Sequence, residues 1–242
     1  MKLGIITDIH SNIIALNEVL SVFEKMKIDK IICCGDIIGI GPSPEEVIQA
    51  LMKISDKLIM VRGNHEKYIL DGLPLNVHDN KRNMSLEEIK NHKWTHSKIS
   101  EQSKEFLENL PTYKIIEIEN KKIFVIHYPM NKVGKYKEYI KHPTIEENEK
   151  LFNEVNSDIY VYGHTHITCI NNTDSKCFIN TGSLGCPLQT NIANAGILDI
   201  KDDKISFEKL DISYNVDEVV KEIKELKFPF YKEILKIFYG NR

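Results

Sequence analysis

No stretch of this chain is an apolar run long enough to cross a bilayer, and the first strand-like segment begins within two residues of Met1, with no basic, apolar leader ahead of it. We therefore expect neither an anchor nor a signal peptide, no membrane partner, and a cytoplasmic location. Cysteine is scarce: Cys33, Cys34, Cys169, Cys177 and Cys186 are odd in number and lack CxxC spacing, which argues against a disulfide framework or a zinc ribbon. Cys33 and Cys34 lie inside the apolar run KIICCG and read as small buried hydrophobes. A surplus of charge is also missing. Lys and Arg number 32 against 35 Asp and Glu, interspersed, for a net charge of −3, so no footprint for a nucleic-acid polymer is expected. Internal repeats and low-complexity segments are absent as well.

What is present is a recurrence. Five apolar runs each end on side chains that bind metals: KLGIITDIH at 2–10, KIICCGD at 30–36, LIMVRGNH at 58–65, IFVIH at 123–127 and IYVYGHTH at 159–166. In an open α/β sheet ligands gather beyond the carboxyl ends of the strands, so these runs would converge Asp8, His10, Asp36, Asn64, His127, His164 and His166 on one crevice. So many oxygen and nitrogen donors exceed the usual four of a structural zinc and suit two divalent ions sharing a bridging carboxylate. Carboxylate, carboxamide and imidazole together favour Mn, Fe, Zn, Ni or Co over Mg or Ca.

With 242 residues, 42% of them hydrophobic, the chain suits one α/β domain over 1–242. After strand 3–7, residues 12–26 place Ile13, Leu16, Val19, Leu20 and Phe23 on one helical stripe. Ser43-Pro44-Glu45-Glu46 reads as an N-cap, a proline at the first helical position and a capping-box glutamate, opening a helix to about residue 53. Strand 57–62 completes the βαβ units. Residues 66–112 differ in character, with a capping box at Ser85 and Glu88 and charged helical stretches around Trp94 and up to Pro111; they read as a small helical cap inserted beside the site. His92 and His96, four apart without a third ligand, read as part of a solvated helix.

The second half is richer in strands: a hairpin of 113–119 and 122–126 turning at Asn120-Lys121, strand 158–162 after a helix capped by Thr144, and short strands near 167–171, 176–180, 194–200 and 203–209. From about 215 to 239, Val216, Val219, Val220, Ile223 and Leu226 form an amphipathic stripe that Phe228-Pro229-Phe230 should break into two helices. That stripe suits either a cover for the sheet or a homodimer contact. The expected fold is α/β, with two mixed sheets packed face to face and helices outside.

Asp8-Ile9-His10, Gly35-Asp36, Gly63-Asn64-His65-Glu66, a lone His127 after a strand, and Gly163-His164-Thr165-His166 occur in an order that resembles the signature of the calcineurin-like metallophosphoesterase superfamily, over roughly residues 3–186. The resemblance implies a four-layer αββα fold and a dinuclear centre, manganese being the first expectation. One ion would take Asp8, His10, Asp36 and His166; the other would take Asp36, Asn64, His127 and His164, with Asp36 as the bridge. It implies hydrolysis of a small phosphodiester or nucleotide by direct attack of a metal-bridging hydroxide on phosphorus, without a phosphoenzyme. Adjacent residues do not easily face one metal pair from the same turn, so His65 is assigned, by resemblance, the protonation of the leaving oxygen. Asn12, at the start of the first helix, is an expected phosphate contact. The cap is expected to shape the substrate pocket. Two alternatives remain: a phosphomonoesterase acting on a small metabolite, and a non-catalytic protein-binding scaffold of the same fold.

Departures from relatives narrow the expectation. Ser/Thr protein phosphatases of this superfamily carry GDxxDRG, whereas this chain reads GDIIGIG from Gly35 to Gly41, without the second Asp or the Arg. The loop from Asn180 to Leu188 resembles the NPGSxGxPR loop of a bacterial and archaeal phosphodiesterase branch, with Leu188 where those relatives have Arg. A guanidinium that grips phosphate in two places is thereby lost, with Arg62 and Lys67 the nearby cations in sequence.

Overall fold

In the computed structural model, which describes residues 1–74, 76–77, 82–187, 189, 191–202 and 204–240, the strand-like runs assemble into two five-stranded mixed sheets. The first half of the chain runs β1 (Lys2–Ile6), α1 (Ile13–Lys25), β2 (Lys30–Cys33), α2 (Pro44–Met52), β3 (Leu58–Met60), α3 (Asn64–Leu70), a two-stranded ribbon β4 (Asn76–Val77) and β5 (Arg82–Asn83), α4 (Leu86–Ser97) and α5 (Glu101–Glu108). The second half runs β6 (Tyr113–Ile118), β7 (Lys121–Ile126), α6 (Ile145–Leu151), β8 (Ile159–Val161), β9 (Thr168–Asn172), β10 (Cys177–Thr181), β11 (Ile192–Lys201), β12 (Lys204–Ser213), α7 (Val216–Leu226) and α8 (Tyr231–Phe238).

One sheet has the order β12-β11-β1-β2-β3, the other β6-β7-β8-β10-β9. In the first, β1, β2 and β3 are parallel; in the second, β7, β8 and β10 are parallel. The parallel centre of each sheet is buried on both faces, which is why these strands read as unbroken apolar runs rather than alternating ones. Alternate residues part ways all the same. Leu3, Ile5, Ile32, Val125 and Val161 fill the space between the sheets, whereas Ile6, Ile31 and Cys33 meet the helices outside the first sheet. Phe124, Ile126, Tyr160 and Phe178 form a third cluster with Leu151 and Phe152 around α6, outside the second sheet. The layers are thus helix, sheet, sheet, helix, and each fully buried Leu, Ile or Val contributes roughly 1.5–3 kcal/mol.

The periodicity of α1 holds, with Leu16, Val19 and Phe23 buried; Ile13 and Leu20 flank that stripe half-buried. Both Ser85 with Glu88 and Thr144 with Glu147 form reciprocal capping boxes. Ser43 does not cap α2 as its sequence suggests. Its hydroxyl donates instead to Glu222 on α7, 2.9 Å away, while Pro44 alone opens the helix. The cap is not wholly helical either, since Asn76–Val77 and Arg82–Asn83 pair as a short antiparallel ribbon. The Phe228-Pro229-Phe230 break occurs as expected, Lys227 and Phe230 both taking left-handed backbone there. Val216, Val219, Val220 and Ile223 of α7 are buried against the first sheet's helical side, and Leu226 is exposed. Among the described residues no helix is long and apolar enough to cross a membrane.

Candidate metal centre

The carboxyl ends of β1, β2, β3, β7 and β8 meet at one edge of the two sheets. The loops that leave them are sewn together by backbone bonds: Asp8 N–H donates to Gly35 O (3.0 Å), His10 N–H to Asp36 O (3.0 Å), and Gly163 N–H to His127 O (2.8 Å). These turns are tight enough that Asp8, His10, Asp36, His164 and His166 all have positive φ, from 46 to 73°. Left-handed backbone costs a non-glycine residue of order 1 kcal/mol or more, and such outliers persist where the surroundings over-determine them, typically at functional sites. Five in one cluster, all on side chains selected from sequence, mark the same place independently.

The side chains converge. His10 Nε2 and His166 Nε2 are 2.8 Å apart, His166 Nε2 is 3.4 Å from Asp8 Oδ1, and His10 Nε2 is 3.8 Å from Asp36 Oδ2. On the other side of Asp36, His127 Nε2 lies 3.3 Å from its Oδ2, 3.1 Å from Asn64 Oδ1 and 3.2 Å from His164 Nδ1. Asp8, His10 and His166 form one trio of donor atoms within 4.8 Å of one another, Asp36, His127 and His164 a second, and His10, Asp36 and His65 a third. All seven expected ligands are therefore in one cluster, and Asp36 belongs to two of its three groups.

The donor set fits a cation. His10 Nδ1 faces Ile38 O at 3.3 Å, His166 Nδ1 faces Cys186 O at 3.2 Å, and His127 Nδ1 faces Cys34 O at 2.8 Å. A carbonyl only accepts, so each Nδ1 carries a proton and Nε2 is the ring atom that each histidine turns into the cluster. Nε2 atoms 2.8 Å apart call for a positive charge between them, which a proton or a metal ion can supply. Donors bound to one ion at about 2.0–2.1 Å end up roughly 2.9–3.4 Å from each other, close to the spacings here.

The charges agree with that demand. Burial favours the neutral form of Asp8, yet the hydrogen bond and charge of His166 hold it well below the ordinary carboxylate range. Burial pushes Asp36 the same way and is again outweighed, here by His127, His65 and His10. Burial, with His166 behind it, drops His10 to about 4, so its ring is neutral near pH 7. His127 is the exception. Burial would lower it, but the adjoining Asp36 lifts it to about 9, so a cation entering there must displace a proton.

His65 stands beside this cluster. Its backbone N–H donates to Asp36 Oδ1 (2.9 Å) and its Nε2 is 3.9 Å from Asp36 Oδ2, so Asn64 and His65 both face the group from the first turn of α3. The expectation that neighbours could not share it does not hold, because the cluster is wide enough to be met from two sides. Burial keeps the His65 imidazole well below its ordinary pKa. Its Nδ1 has no hydrogen-bond partner and packs on Gly39, the position where protein phosphatases have an orienting Asp. Asn12, the expected phosphate contact, is buried and spent on structure: its oxygen accepts from Ala15 N–H at the start of α1 and its amide donates to Gly185 O.

Other residues at the site carried no role from sequence. Glu66 is fully buried, its oxygens accepting N–H bonds from Gly63, Asp36, Ile37 and Ile38 at 2.7–3.2 Å, which pins the second and third ligand loops to each other. Burial and the charge of Asp36 raise it to about 7, the N–H groups of Gly63 and Ile38 pulling the other way. His92 of α4, read from sequence as solvated, is buried with its ring 5.0 Å from His65 and 5.2 Å from Tyr68. On the far side Tyr136 stacks on His164 at 5.3 Å, with Lys67 lying 5.8 Å over the tyrosine ring. Glu66 was within reach of sequence reasoning, as the last residue of GNHE; His92 and Tyr136 arrive from distant segments that no local motif connects to the strand ends. Leu188 and His78 lie outside the described residues.

Comparison with known proteins agrees with this geometry. The calcineurin-like phosphoesterase superfamily domain matches residues 1–203. An uncharacterized protein of Methanocaldococcus jannaschii is 29% identical over 249 residues, covering 94% of this chain and 93% of its own length. Phosphodiesterase YfcE of Escherichia coli is 24% identical over 207 residues, covering 82% of this chain and 88% of its own. A crystal structure of a metallophosphoesterase from Sphaerobacter thermophilus shares the fold at a TM-score of 0.77 and 22% identity, with 100% of this chain and 99% of that one covered.

Proposed function

This chain belongs to the calcineurin-like phosphoesterase superfamily, and on that premise we propose that it hydrolyses a small phosphodiester with the help of two divalent ions. Asp8, His10, Asp36 and His166 would hold one ion and Asp36, Asn64, His127 and His164 the other, with manganese the first candidate and Fe, Zn, Ni or Co the alternatives. When bound, such ions supply Lewis acidity toward phosphoryl oxygens and bring the pKa of a water near neutrality. The observation that carries the reading is the convergence of imidazole nitrogens and carboxylate oxygens at 2.8–3.4 Å, with His10, His127 and His166 each fixed by a backbone carbonyl behind it.

The chain's own groups do the remaining work. Ile38 O and Cys186 O hold His10 and His166 in the tautomer that presents Nε2, and Glu66 fixes the loop of Asp36 against that of Gly63. His65 borders the open side of the cluster, placed to pass a proton to the departing ester oxygen. Burial keeps it neutral in the free protein, and an anionic phosphoryl group arriving beside it raises its proton affinity again. A diester suits the site better than a monoester. It carries one fewer negative charge, and Gly39 and Ile40 stand where protein phosphatases have the Asp and Arg that orient the catalytic His and grip phosphate.

Metal-stripped protein given bis-p-nitrophenyl phosphate, with and without added Mn²⁺, tests the proposal. Strong Mn²⁺-dependent release of nitrophenolate is expected. Protein that binds Mn²⁺ yet releases none from the diester, while cleaving p-nitrophenyl phosphate, would turn the assignment to monoesters.

A further inference from the structure

A cavity of about 600 Å³ opens directly from His65, between the cap and the C-terminal helix. Its floor includes Ile40, Asn64, His65 and His164, so it continues from the candidate metal centre. One wall is α8, which contributes Ile234, Ile237 and Phe238 together with Phe230 just before it; the other is Tyr68 with Met84 and His92 of the cap. Apart from its histidines, the described residues lining it include three charged side chains, Arg82, Glu88 and Glu233. Arg82 is held by Glu88 in a bidentate pair at 2.9 and 2.7 Å, which leaves the lining without a surplus of positive charge. Neither Arg62 nor Lys67 reaches it.

We propose that this cavity receives an uncharged aryl-sized group attached to the reacting phosphate, so that the substrate is an ester with a single phosphate and an aromatic substituent, not a polyphosphate or a sugar phosphate. The inference rests on the phosphoesterase reading and deepens it. Continuity with His65 and the candidate ligands fixes where the phosphate sits, and the apolar walls fix the character of the group attached to it. Aromatic faces on both sides favour a flat ring, which such pockets hold by burial and offset stacking. A second phosphate or a carboxylate would meet Glu88 and Glu233 with no unpaired cation in return among the described residues of the lining. The two-helix C-terminus, which supplies none of the seven candidate metal ligands, thereby gains a role as one wall of the substrate site.

The test is direct binding to the Mn²⁺-loaded full chain by calorimetry, with phenylphosphonate, methylphosphonate and 4-carboxyphenylphosphonate as probes. Phenylphosphonate should bind at least about tenfold more tightly than methylphosphonate, since burying only ~60 Å² of ring surface corresponds to that factor. The carboxylated probe should lose most of the gain. Ile237 is 59% exposed, so Ile237→Glu leaves the core untouched; it should bring the ratio of phenyl to methyl affinity close to one, and Ile237→Leu should retain the preference. Equal affinity for the phenyl and methyl probes, or a phenyl preference that survives Ile237→Glu, overturns the inference. Turnover of bis-p-nitrophenyl phosphate by the same preparations separates the two readings. A phenyl preference without turnover of the diester sinks the phosphodiesterase reading and leaves the aryl site standing, whereas turnover without the preference does the reverse.

Discussion

His10 and His166 point their Nε2 atoms at each other across 2.8 Å, and each has its Nδ1 against a backbone carbonyl. The contact is repulsive between neutral rings and becomes favourable once a cation coordinates both. A ligand that binds only the folded state stabilises it by mass action, by about 2.7 kcal/mol at a hundredfold excess over Kd. For a chain of this size that corresponds to a rise in Tm of roughly 5–10 °C. Scanning calorimetry of chelator-treated protein before and after Mn²⁺ should show this rise, and His166→Ala should reduce it. A Tm indifferent to Mn²⁺ would mean that the imidazoles do not form a metal site.

Asp36 and His65 offer a sharper division of roles. Asp36 Oδ2 is 3.3 Å from His127 and 3.8 Å from His10, so it faces both halves of the cluster, and Asp36→Asn should lower bound metal and nearly abolish turnover. His65→Ala should keep the metal content of the parent while lowering turnover by about 10²–10⁴-fold, the usual cost of a lost general acid. Metal analysis of the two purified variants beside their rates decides the matter. An emptied site in His65→Ala would make His65 a ligand.

How much of the fold and the site was legible in the chain depends on how local each feature is. Asp8, His10, Asp36, Asn64, His127, His164 and His166 each come a few residues after an apolar run, and the strand-end rule places them without knowledge of the strand order. Both sheets and the paired C-terminal helices were readable for the same reason, since periodicity and the Phe228-Pro229-Phe230 break are written in consecutive residues. His92 was misjudged because its burial depends on α4 folding back over α3, and nothing in the charged sequence around it records that contact. Ser43 takes a distant partner, Glu222, over the capping role its neighbours suggest, and the Asn12 amide is likewise engaged by a remote group, Gly185 O. The aryl-sized cavity needs five separate segments at once.

Gly39 packs against His65, next in sequence to Ile40 of the cavity floor, with φ at +85°. A Cβ at this position would lie 2.0 Å from His65 Nδ1, and the left-handed backbone adds about 1–2 kcal/mol of its own for any other residue. Gly39→Ala should therefore displace the His65 ring while leaving Asp8, His10 and His127 in place. The expected result is a fall in kcat of about tenfold or more with metal content preserved and Tm lower by a few degrees. Unchanged kcat in a folded, metal-loaded variant would mean that the His65 position is not critical to turnover.

His92 gives the stability a pH dependence. Burial first, then the neighbouring His96, depresses its pKa from 6.5 to about 4, with Glu88 and Asp36 pulling it back up and Arg82 opposing them. Below pH 6.5 the unfolded chain takes up a proton that the folded chain refuses until about pH 4, so the folded state loses stability across that interval as pH falls. For this buried ring the loss amounts to roughly 2–3 kcal/mol between those limits. Urea unfolding of the parent and of His92→Gln at pH 7, 6, 5 and 4 should show a shallower decline in the variant, because glutamine has no proton to take up. Parallel declines would show that His92 is protonated as readily in the fold as outside it, and that the cap does not shield it from water.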